Sequence, residues 1–167
     1  IAQGTKGNDV FHVTTSDVNT VIRTTITTKK INSKGKVVTT TTVTKGSDVL
    51  YIEGLKTTDV DALTMKQQVD AEGNKTRNLE ITTNDGRTIV IENYFTDTTG
   101  KATNSSIKSI RAEYPEGDGW HSSLSDPLCK DVLITDVCAI DYDGTFTPKK
   151  NKVTGTSFND TIDMSEN

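Results

Sequence analysis

The stretch VIRTTITTKKINSKGKVVTTTTVT constrains this chain most. From Asn19 to Thr44, β-branched residues alternate on both sides of Asn32-Ser33-Lys34-Gly35. Branching at Cβ restricts χ1, favours extended backbone and disfavours helix, while the Gly-containing centre reads as a turn. The expectation is one long hairpin over Asn19 to Thr44. Thr also covers an exposed sheet face without apolar surface, which suits a chain with a hydrophobic content of 32%.

Further strands follow the same logic. DVLYIE, Asp48 to Glu53, is an apolar extended run. Leu63 to Val69 leads through the turn signal DAEGNK into NLEITT, Asn78 to Thr83, as a second hairpin. Asn84-Asp85-Gly86 supplies the positive-φ positions of a tight turn into RTIVIENYF, Arg87 to Phe95. SIKSIRAEY and VLITDVCAIDYDGTF read as extended segments, and Thr57 to Gln67 as at most one helical turn. The fold class is therefore all-β, a hairpin-rich β-sandwich or a β-roll or solenoid-like stack in a single module over 1–167.

The chain has 167 residues and a net charge of -4, which disfavours a nucleic-acid partner, since such partners are gripped by neutralising phosphates. No run reaches the length of a membrane-spanning helix, and IAQGTKGNDVF lacks the basic and apolar blocks of a signal peptide. A soluble piece of something larger is expected.

Two ends of the chain carry nearly the same phrase. GTKGND runs from Gly4 to Asp9 and GTSFND from Gly155 to Asp160, 151 positions later. The first continues as GTKGNDVFH, with Gly4, Gly7, Asp9 and Phe11, and the second as GTSFNDTID, with Gly155, Asn159, Asp160 and Ile162. A fainter echo, VTKGSDVLY, keeps Gly46, Asp48 and Leu50 and carries little alone. These motifs resemble the nonapeptide repeat G-G-x-G-x-D-x-U-x of RTX (repeats-in-toxin) proteins. The order GNDVFHV, DVLYIEGL, TTDVDALTM, NLEITTNDGRTIVIENYF and SIKSI is also similar to the domain that accompanies haemolysin-type calcium-binding repeats in large bacterial secreted proteins.

The resemblance implies calcium as cofactor, with Asp9, Asp48, Asn159 and Asp160 as candidate oxygen ligands at 4–12, at the echo and at 155–163. It implies secretion to the bacterial surface, neighbouring repeats as partners, a possible host or glycan surface, and a non-catalytic structural or adhesive role in an adhesin or toxin. One isolated loop supplies half of the oxygens calcium requires, so two loops must meet. Asp141-Tyr142-Asp143-Gly144 adds Asp141 and Asp143 as further metal candidates. Lys152 at the twelfth position excludes a complete EF-hand, and a solvated turn is the plainer reading of that cluster.

Cys129 and Cys138 stand alone as cysteines, and in a secreted context they are expected to form a disulfide, contributing about 2–3 kcal/mol through the small loop it closes. Zinc is disfavoured because His12 and His121 show no ligand spacing. Two rival functions are kept. Asp126-Pro127 resembles the bond cut by calcium-triggered self-processing modules, and Trp120 near Tyr114 could stack on a sugar. Asp118, His121 and Ser122 are neighbours in GDGWHSS, where a flexible loop is simpler than a triad.

Overall fold

The computed structural model describes residues 1–44, 46–100, 103–115 and 128–134. Eleven strands form there: β1 (Ala2–Gln3), β2 (Val10–Val13), β3 (Asn19–Arg23), β4 (Thr25–Ile31), β5 (Val37–Val43), β6 (Asp48–Lys56), β7 (Thr64–Val69), β8 (Lys75–Thr82), β9 (Thr88–Glu92), β10 (Ile107–Glu113) and β11 (Cys129–Leu133). A short 3-10 helix, Thr57–Ala62, stands where a single helical turn was expected. The all-β expectation holds.

The strands sort into two main sheets and a separate ribbon. One sheet has the order β1-β3-β9-β8-β7 and the other β11-β10-β6-β2, while among the described residues β4 and β5 pair only with each other. Within the first sheet β1, β3 and β9 run parallel, and within the second β2, β6 and β10 do. The chain therefore coils, passing from a strand of one sheet to a strand of the other and back, one strand over at each pass. β1 and β2 make the first coil, β3 and β6 the second, β9 and β10 the third. The hairpin β4–β5 is inserted in the second coil, and the hairpin β7–β8 between the second and the third.

Registers explain the core. Phe11 pairs with Leu50, and Leu50 with Ile110, so one inward position repeats across three coils. On the facing sheet Ile22, Ile91 and Leu79 line up in the same way. These side chains join Val13, Ile52, Met65, Ile81 and Ile89 in one buried cluster. Burial of each contributes roughly 1.5–3 kcal/mol. One row outward, His12, Tyr51 and Arg111 are in register, and the rings of His12 and Tyr51 stack at 4.5 Å.

The expected hairpin from Asn19 to Thr44 is corrected at its base. Thr24 is buried, and the chain bends there, so Asn19–Arg23 pairs in parallel with β9 and the hairpin begins at Thr25. Thr44 closes it, donating its N–H to the Thr24 carbonyl at 2.8 Å. The turn itself is as expected: the Asn32 side chain accepts from the N–H groups of Lys34 and Lys36, and Gly35 takes φ +74°. The β7–β8 hairpin and the Asp85-Gly86 turn into β9 also form as expected.

Candidate functional site

At the end of the stack where β1 leads to β2, the chain is stitched loop to loop. The first loop closes on itself. Asp9 accepts from the Thr5 N–H at 2.7 Å through Oδ2 and from the Thr5 hydroxyl at 2.8 Å through Oδ1. The second loop lies directly on it, although the β4–β5 hairpin separates the two in sequence. Ser47 donates its N–H to Asn8 Oδ1 at 3.0 Å, Asp9 donates its N–H to Asp48 Oδ1 at 2.8 Å, and Val49 returns a bond to the Asp9 carbonyl at 2.9 Å. Gly46 is required for this approach, because a Cβ there would lie 2.6 Å from the Gly7 carbonyl oxygen. Gly7-Asn8-Asp9 and Gly46-Ser47-Asp48 are thus successive rungs.

A third rung comes from a segment that shares none of that wording. Asp48 donates its N–H to the Ser106 carbonyl at 2.9 Å, and the Ser106 hydroxyl donates to Asp48 Oδ2. The hydroxyls of Ser106 and Thr44 are 2.9 Å apart. Asp48 is 0% exposed and spans all three coils, its two oxygens taking a donor from the first and the third.

The structure therefore brings Asp9 and Asp48 together, as a loop-to-loop calcium site would require. Their carboxylates, however, are turned to donors of the chain, and Asp48 sits in the interior. Each of their four oxygens already accepts a donor from Thr5, Asp9 or Ser106, so the rung is held by the chain's own groups. Among the described residues no three His, Cys, Asp or Glu side chains gather as metal ligands. Asp141, Asp143, Asn159 and Asp160 lie outside the described residues. So do Cys138, Trp120, Asp126-Pro127, Asp118, His121 and Ser122, whereas Cys129 opens β11.

The opposite end of the stack is fastened by a residue with no motif around it. Arg87 is 4% exposed. One arm of its guanidinium reaches the Val13 and Thr14 carbonyls at 3.4 and 3.3 Å, and the other the Glu53 carbonyl at 2.8 Å. A residue at the start of the third coil thus holds the first two. Asp85 pairs with it at 2.8 Å, and bonds from Arg87 and Thr83 hold the Asp85 carboxyl down to about 2.

Glu113 is the third fastening. A bulge displaces the β6–β10 register between Arg111 and Glu113, and Gly54 takes φ +79° beside it. The nearly buried carboxylate accepts from the Tyr51 hydroxyl, the Gly54 N–H and Lys56 Nζ, each at 2.9 Å. Burial pushes its pKa up, but the Gly54, Lys56 and Tyr51 bonds and the charge of Lys56 outweigh that and leave it below the usual glutamate value. Arg87, Ser106 and Glu113 escape sequence reasoning because their partners are backbone groups and side chains of other coils.

No family model, no curated protein and no solved structure matches the chain. The likeness to RTX repeats rests on the motifs quoted above.

Proposed function

We propose that this chain is a non-catalytic structural module of a large RTX-like secreted protein, a stack of parallel coils that serves as a spacer or adhesive segment at the bacterial surface. The observation that carries this reading is the rung formed by Asp9 and Asp48, in which repeat phrases lie on each other and their polar groups are spent on the stack itself. The first and last coils are unequal, which supports neighbouring repeats as partners. β11 and the β8–β7 pair extend the sheets beyond the third coil in antiparallel fashion. On the first coil, β2 and β1 are each paired on one side among the described residues, and another coil can be added there.

Calcium belongs to this reading through Asp141, Asp143, Asn159 and Asp160. Neutralising these like-charged carboxylates would couple export of a pliable chain to ordering outside the cell. A thermal melt with and without millimolar calcium tests it. A rise in Tm that Asp160→Asn or Asp143→Asn removes and Asp9→Asn retains supports the assignment. An unchanged Tm overturns calcium association, and calcium-dependent fragments meeting at Asp126-Pro127 would replace the spacer role by self-processing.

A further inference from the structure

The hairpin β4–β5 stands apart from both sheets. From β4 residue Thr27 to β5 residue Thr42 every described side chain is exposed, including Ile31 at 73%, Val37 at 57% and Val38 at 44%. An isolated two-stranded ribbon is marginal in water, and among the described residues no strand pairs with either of its outer edges. Those edges are guarded unequally. β4 carries Lys29 and Lys30, whereas β5, VVTTTTV, has seven β-branched residues and no charge, proline or glycine. Such a segment is a template for strand addition.

We propose that the outer edge of β5 pairs in antiparallel fashion with β5 of a second copy of this chain, joining two hairpins into one four-stranded sheet. The hydrogen-bond phase of the ribbon fixes the register. Thr44 N–H to the Thr24 carbonyl and Asn32 N–H to the Lys36 carbonyl mark the even-numbered residues of β5 as bonded to β4. Val37, Thr39, Thr41 and Val43 therefore turn their backbone groups outward. A two-fold axis at Thr40 sets Thr39 opposite Thr41 and Val37 opposite Val43 of the second copy, all outward-bonding residues. This arrangement is isologous and closes as a dimer. Thr pairs across strands already occur in the ribbon, where the hydroxyls of Thr27 and Thr41 lie 3.0 Å apart.

Charge selects the β5 edge over the β4 edge for this pairing. The hairpin segment 25–43 carries Lys29, Lys30, Lys34 and Lys36 and no carboxylate. Pairing through β5 brings the uncharged edges together and leaves the two β4 strands outermost, about 14 Å apart, beyond the screening length of about 8 Å. The tips then point in opposite directions, and the two bodies lie at opposite ends of a ribbon about 24 Å long.

Sedimentation equilibrium of the full chain tests the pairing. The expected result is a reversible dimer of twice 18.2 kDa. Thr39→Lys with Thr41→Lys, which sets like charges opposite each other, is expected to weaken it at least about tenfold with an unchanged melt. Thr39→Pro removes an outward N–H without touching the β4 ladder and should act the same way. A chain that stays monomeric to about 300 µM, well above the range of specific association, overturns the proposal. So does a dimer that both variants retain, or growth into open polymers in place of a closed pair.

Discussion

The backbone N–H of Asp9 donates to the carboxylate of Asp48 across 39 residues of sequence, at 2.8 Å. Because Asp48 also accepts from Ser106, one interior carboxylate fixes the spacing of three coils. Its removal strands donors on both neighbours. Asp48→Ala is expected to lower unfolding free energy by about 3 kcal/mol, and Asp9→Ala, which opens a more exposed loop, by about 1 kcal/mol. Urea denaturation of the two variants checks the order.

Acid should loosen the other face of the stack. The folded pKa of Glu113 lies below its ordinary value of 4.5, so its contribution is complete above that pH and is lost as pH falls through the folded value. Asp85, held down to about 2, acts with the same sign at lower pH. Glu113→Gln should therefore melt below the wild type at neutral pH, with the gap narrowing as the medium is acidified. A constant gap in a pH series of melts would contradict the assignment.

Arg87 spreads one guanidinium over carbonyls of Val13, Thr14 and Glu53, a geometry that a single ammonium cannot reproduce. Arg87→Lys keeps the charge and is expected to cost about 2–3 kcal/mol in denaturant unfolding.

Excision of the ribbon separates stack from arm. Since the Thr44 N–H already meets the Thr24 carbonyl, replacing residues 25–43 by Asn-Gly should leave a cooperative unfolding transition and shift Tm by only a few degrees. A non-cooperative melt would show that the arm is part of the core.

Much of this architecture is written locally, and some of it is not. The Asn32-to-Gly35 and Asp85-Gly86 turns and the apolar run in DVLYIE identify strands because turn chemistry and strand preference act over a few residues. Asn19–Arg23 misleads: its β-branched residues continue smoothly into the ribbon, and only the parallel partner β9 shows where the coil ends. The echo at Gly46-Ser47-Asp48 carries little as sequence, yet it lies on Gly7-Asn8-Asp9, because the inserted hairpin hides the short repeat period. Ser106 reaches the same rung with no acidic residue or glycine to announce it. Aspartates in such a motif read as calcium ligands, and whether they turn to an ion or to a neighbouring N–H is decided by three-dimensional packing.

The most direct measurement is amide hydrogen exchange of Asp9 by NMR, in chelator and again in calcium. The account predicts an Asp9 amide protected in chelator to the level of the β6 amides, and unprotected in Asp48→Ala while β6 stays protected. An Asp9 amide that exchanges freely without calcium and becomes protected only when the ion is added would contradict it, placing the ion where the Asp48 carboxylate is held to act alone.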